Sequence, residues 1–163
     1  MKKSEDGLAL AQELGRIARN PNEPFSVLVL EMESVESRFL EQWSDDPWVQ
    51  LETRRRVAEH IFKLALLNST APEGECARRF ARLSELGFSD RAQQSVYWTI
   101  YARYCLPRNE AIRLLRELVS LLEAESIQTN RDLASTRQLL AELSEAPAEP
   151  EPLEPPNPPL IQP

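Results

Sequence analysis

The stretch Ser89–Leu106, SDRAQQSVYWTIYARYCL, holds all three tyrosines of the chain (Tyr97, Tyr101, Tyr104) beside Val96, Trp98, Ile100, Ala102 and Cys105. Ser89 suits an N-cap and Asp90 a first helical turn, while Pro107 suits the end of the element or the start of the next. On a helical wheel of ~100° per residue, the apolar and aromatic side chains cover about two thirds of the circumference. Only Ser95, Thr99 and Arg103 mark a polar strip. A helix apolar on so many sides packs between several neighbours. Each aromatic can bury ~150–250 Å², so this helix is expected at the centre of an all-α fold.

Working outward, helical periodicity continues in both directions. Leu8, Ala11, Leu14 or Gly15, and Ala18 form a stripe over residues 4–19, with Leu10 and Ile17 close to it, and Asn20-Pro21-Asn22 breaks the helix. Phe25, Leu28, Met32, Val35, Phe39 and Trp43 recur at steps of three and four. The segment FSVLVLEM, residues 25–32, reads alternatively as a buried strand, because β-branched and apolar residues crowd there. With the helix before it, this segment resembles the start of a diguanylate cyclase domain. The GGDEF signature is absent, Glu31 stands where that family's metal-binding aspartate is expected, and no further strands follow, so a helix is the expectation.

Asp46-Pro47 reads as an N-cap followed by proline at the first helical position, opening a helix to about Asn68. A shorter helix follows over residues 73–86, with Gly87 suited to its C-terminal αL position. After the aromatic helix, residues 108–125 present Ile112, Leu115, Leu118, Val119 and Leu122. Thr129 or Asn130 can cap a last helix to about Ala146. About seven antiparallel helices, arranged as helical hairpins in a bundle or array, are expected. Tyr97–Glu117, YWTIYARYCLPRNEAIRLLRE, resembles part of a tetratricopeptide repeat in its spaced aromatics, Ala102 and the Glu110-Ala111-Ile112 helix start. The turn glycine is missing and no second copy occurs at a period of ~34 residues, so the resemblance implies a helical hairpin and no function.

From Pro147 the composition changes abruptly. Eight of the last 17 residues are proline and three are glutamate, a composition that builds no packed core and is expected to be disordered. The expected organisation is an N-terminal helix over residues 1–22, a helical core domain over 23–146 and an acidic proline-rich tail over 147–163.

The net charge of −7 is unevenly placed. Residues 1–49 and 117–163 are acidic, at −5 and −7, whereas residues 50–116 carry 12 basic and 7 acidic side chains. Arg54-Arg55-Arg56 spans most of a helix turn, so its side chains fan out over different faces. Arg78, Arg79 and Arg82 form a second group. The simpler account is pairing with the acidic flanks; the functional one is a basic face for an acidic protein or for nucleic acid.

Catalytic signatures are scarce. One histidine and two isolated cysteines fall short of the usual four zinc ligands, and neither paired Glu-x-x-His motifs nor a glycine-rich phosphate loop occurs. His60 reads as an edge-of-core imidazole; Glu31, Glu33 and Glu36 cluster, and Glu33 and Glu36 read as solvent-facing. Cys76 and Cys105 read as buried thiols. No apolar run is long enough to span a bilayer and no secretory leader is evident, so a cytoplasmic setting is expected.

The expectation is therefore a non-enzymatic protein-protein interaction or regulatory subunit, without catalytic residues, cofactor, metal or membrane contact. Its candidate partner-binding residues are Arg54, Arg55, Arg56, Arg78, Arg79 and Arg82, and, in the tail, Pro156, Pro159, Leu160 and Ile161. The alternative is a nucleic-acid-associated protein using the two arginine groups.

Overall fold

The computed structural model describes residues 2–20, 22–43, 45–124 and 130–145. Among them are seven helices and no strand: α1 (Lys2–Ala18), α2 (Phe25–Gln42), α3 (Pro47–Leu67), α4 (Glu75–Leu86), α5 (Arg91–Cys105), α6 (Arg108–Ala124) and α7 (Asn130–Glu145). The all-α expectation holds, and residues 25–32 are helix. The proline-rich tail, with Pro156, Pro159, Leu160 and Ile161, lies outside the described residues, as does Thr129, whereas Asn130 is the first residue of α7.

Local chemistry explains the boundaries. Asp46 caps α3 by accepting from the Val49 amide at 3.2 Å, with Pro47 at the first helical position. At α5 the cap is Asp90, not Ser89. Its carboxylate accepts from the Gln93 amide at 2.7 Å, and the Gln93 side chain reaches back to accept from the Ser89 amide at 2.7 Å. This reciprocal pairing satisfies two amides that the helix start leaves open. Gly87 ends α4 at φ 75° and ψ 165°. The positive φ agrees with the sequence, but the ψ is extended rather than αL, in a region open essentially to glycine alone.

Three apolar clusters follow one another along the chain. In the first, Leu10, Leu14 and Ile17 of α1 meet Phe25, Leu28, Met32 and Val35 of α2 and Val57, Ile61 and Leu64 of α3. The second joins Ala58 and Phe62 of α3, Phe80 and Leu83 of α4 and Tyr97 of α5. The third joins Ala102 of α5, Ala111 and Leu115 of α6 and Leu139 of α7. Arg108 braces the last group, donating to the Leu143 carbonyl at 2.6 Å and to that of Ser144 at 3.0 Å. A cation supplying donors to terminal carbonyls suits the C-terminal end of α7.

The centre of the fold is α3, not the aromatic helix. It packs on α1, α2 and α4 and sends fully buried Val57 and Phe62 into two different clusters. In α5 only Ser95, Tyr97 and Ala102 are buried, while Val96 and Tyr104 are 51% and 68% exposed. The physical reason lies in the tyrosines, whose hydroxyls need water or a polar partner. Tyr97 finds one, donating to Glu59 at 3.1 Å, whereas Tyr104 remains at the surface. Trp98 is half-buried, and its indole nitrogen is enclosed without a hydrogen-bond partner.

Phe62→Ala should therefore cost about 3–5 kcal/mol, and Trp98→Ala only about 1–3 kcal/mol. Urea unfolding of the two variants checks the order. A larger loss at Trp98 would return α5 to the centre.

Candidate functional site

The two arginine groups do not form one continuous face. Arg54, Arg55 and Arg56 do fan out as expected, and they reach three different environments. Arg54 lines a groove of about 260 Å³ between α2, α3 and α4, together with Arg79 and Arg82. Arg55 turns the other way, donating to the Leu86 carbonyl at 3.1 Å and pairing with Glu52 at 2.7 Å. It supplies a donor to the end of α4, where helix carbonyls lack intrahelical partners. Arg56 lines a smaller cleft of about 80 Å³ with Trp43, Trp48 and Val49. In that cleft Trp48 is 64% exposed, and the buried Trp43 indole nitrogen has no hydrogen-bond partner.

The second group divides as well. Glu75, buried at the first turn of α4, pairs with Arg78 and, at 2.9 Å, with Arg79. A carboxylate in this position also complements the helix dipole. Arg79 reaches Glu33 at 3.7 Å across the groove, and Arg82 pairs with Glu85 at 3.3 Å on the exposed side. Of the six arginines expected to bind a partner, Arg54, Arg79 and Arg82 thus converge on one groove. Arg55 and Arg78 are committed to structural contacts, and Arg56 lies elsewhere.

The groove floor is apolar, made by Val57, Ala58 and Ile61 of α3 and by Leu86 at the end of α4. Glu33 and Glu36 of α2 form the opposite wall. Glu33 is exposed, as expected, but Glu36 is half-buried, against the solvent-facing expectation. The signal was present in the sequence: Glu36 continues the helical row of Met32 and Leu40, apolar on both sides. Burial pushes the Glu36 carboxyl above its ordinary value. Arg54 and Arg82 pull it down and Glu33 adds to the rise, but burial outweighs the arginines.

Other titratable groups are occupied elsewhere. His60 donates from Nδ1 to the Arg56 carbonyl at 2.8 Å. Glu59 accepts from Gln93 and from Tyr97, and burial, followed by the Glu59 charge, drives the Tyr97 hydroxyl upward. Among the described residues no group of three or more His, Cys, Asp or Glu is placed to hold a metal ion, and no helix is long and apolar enough to cross a membrane. The tyrosine series is divided: Tyr101 stacks on Phe80 at 3.9 Å between centroids and Tyr97 lies 6.0 Å from Phe62, so both serve packing. No family model, curated protein or solved structure matches the chain.

Two outcomes follow from this geometry. Arg55→Ala should destabilise by about 1–3 kcal/mol, because it leaves a carbonyl and a carboxylate unpartnered, whereas Arg56→Ala should stay within about 0.5 kcal/mol. Thermal melts distinguish them. The Glu36 prediction concerns pH. Its carboxyl titrates higher in the folded chain than in the unfolded one, so the folded state holds the proton more tightly. That contribution is complete below the unfolded value of about 4.3 and is lost as pH rises through the folded value. Glu36→Gln should therefore melt higher than the parent at neutral pH, and the gap should close at acid pH. A variant that melts lower at pH 7 would mean that Arg54 and Arg82 outweigh burial.

Proposed function

We propose that this helical domain is a non-enzymatic protein-interaction module whose α2–α3–α4 groove takes an acidic segment of another protein. The observation that supports the reading is the meeting of Arg54 of α3 and Arg82 of α4, with Arg79 held beside them by Glu75 and Glu33, over an apolar floor. Guanidinium groups on a rim select carboxylates and speed encounter, and Leu86, with the edges of Ala58 and Ile61, offers a small apolar seat. The ligand is therefore a peptide with Asp or Glu flanking a Leu, Ile or Val.

The nucleic-acid reading fits this groove less well. A phosphate backbone asks for a basic track with few acids, but here Glu33 and Glu36 face the arginines, and Arg78 and Arg79 are already paired with Glu75. Arg54, Arg55 and Arg56 diverge to separate surfaces rather than forming one basic track.

Random-peptide selection against the full chain should enrich acidic sequences with one aliphatic residue. Arg54→Ala/Arg82→Ala should weaken those peptides at least about tenfold, or ~1.4 kcal/mol, while melting near the parent temperature. Titration with single-stranded DNA and RNA at low salt is the companion measurement. Binding there with a steep salt slope, and no enrichment of acidic peptides, would transfer the groove to nucleic acid.

A further inference from the structure

Cys76 and Cys105 are 29 positions apart in sequence, and the fold brings them together. Cys76 lies on α4 and Cys105 at the end of α5. The rings of Phe80 and Tyr101 stack between these helices, with centroids 3.9 Å apart and planes inclined by 11°. Phe80 is one helical turn after Cys76, and Tyr101 is one turn before Cys105. Phe88 lies 6.1 Å from Tyr97, so residue number falls along one partner as it rises along the other, and the turn beyond the ring stack places Cys76 and Cys105 at the same contact. The two sulfurs are near enough to act on each other and on the Tyr101 hydroxyl. Cys76 also donates to the Ala65 carbonyl of α3 at 3.3 Å, which fixes its direction. Both cysteines are free and partly buried, not sealed from small solutes.

We propose that Cys76 and Cys105 form an oxidisable dithiol, a modification site that takes hydrogen peroxide or a small organic hydroperoxide and closes to a disulfide joining α4 to α5. The order of attack follows from the surroundings. Burial, and then the facing Cys76 sulfur, push the Cys105 thiol up to about 12, so Cys105 keeps its proton and Cys76 attacks first. The Cys76 thiolate attacks one peroxide oxygen. An S–O bond forms, the O–O bond breaks, and the departing hydroxide takes up a proton to become water. The sulfur has lost two electrons to the peroxide and is a sulfenic acid. Cys105 Sγ then attacks Cys76 Sγ. The S–S bond forms, the S–O bond breaks, and hydroxide leaves with the Cys105 proton as a second water. Closing the bond brings the sulfurs to about 2.05 Å, and the Phe80–Tyr101 stack one turn away holds the two helices in register for it. This site is separate from the arginine groove and does not depend on what occupies it.

The test uses the full reduced chain and hydrogen peroxide, with alkylation of remaining thiols, intact mass and peptide mapping without reductant. The expected result is loss of both free thiols, a mass lower by two hydrogens, a Cys76–Cys105 linked peptide pair, and full reversal by dithiothreitol. Cys105→Ser should stop at a Cys76 sulfenic acid trapped by dimedone, and Cys76→Ser should leave Cys105 largely unreacted over the same exposure. Three results would overturn the proposal: stepwise oxygen addition to the parent without the linked pair, linkage only between chains, or two thiols that remain alkylatable under peroxide that oxidises a free cysteine peptide.

Discussion

The constraint on which the structure depends is that α3 must be buried on two sides. Val57, Ile61, Leu64 and Ala65 face α1 and α2, and Ala58 and Phe62 face α4 and α5. Phe62 contributes the aromatic contacts that tie three helices, lying 5.8 Å from Phe80, 6.0 Å from Tyr97 and 6.4 Å from Tyr101. A helix committed on two sides has little free circumference left, and Arg54, Arg55 and Arg56 occupy its successive exits. Their divergence is a consequence of core packing. The groove exists because α2 and α4 flank α3 at a spacing that leaves Glu36 within reach of both Arg54 and Arg82.

Periodicity made most of the helices legible. The Phe25–Phe39 stripe is buried as the sequence implies, and Asp46-Pro47 opens α3 where capping chemistry places it. What sequence ranked wrongly was importance. Aromatic content pointed to α5, yet α3, with fewer rings, has the more complete burial, because aliphatic side chains carry no polar atom that must reach a partner. Ser89 and Asp90 are both competent caps, and only the return reach of Gln93 decides between them. Such a choice depends on geometry across a turn and cannot be ranked from residue type.

The candidate site was legible in its residues and not in its grouping. Arg54, Arg79 and Arg82 could be named as basic, but their convergence needs the packing of α4 on α3. Arg55 and Arg78 carry the same charge and are consumed by local contacts to Leu86, Glu52 and Glu75. The two cysteines read as isolated because linear spacing is uninformative about a contact set by the register of α4 on α5.

Helix α4 is where these features meet. Its buried side chains are few, Glu75, Phe80 and Leu83, and polar contacts hold both ends: Glu75 with Arg78 and Arg79 at the start, and Arg55 on the Leu86 carbonyl at the finish. One side of this short helix presents Arg79 and Arg82 to the groove, and another sets Cys76 and Phe80 against α5. Ion pairs are worth less per contact than a filled apolar interface and weaken with salt. The apolar contacts of Phe80 and Leu83 therefore dock α4, and the polar contacts set where its two ends lie.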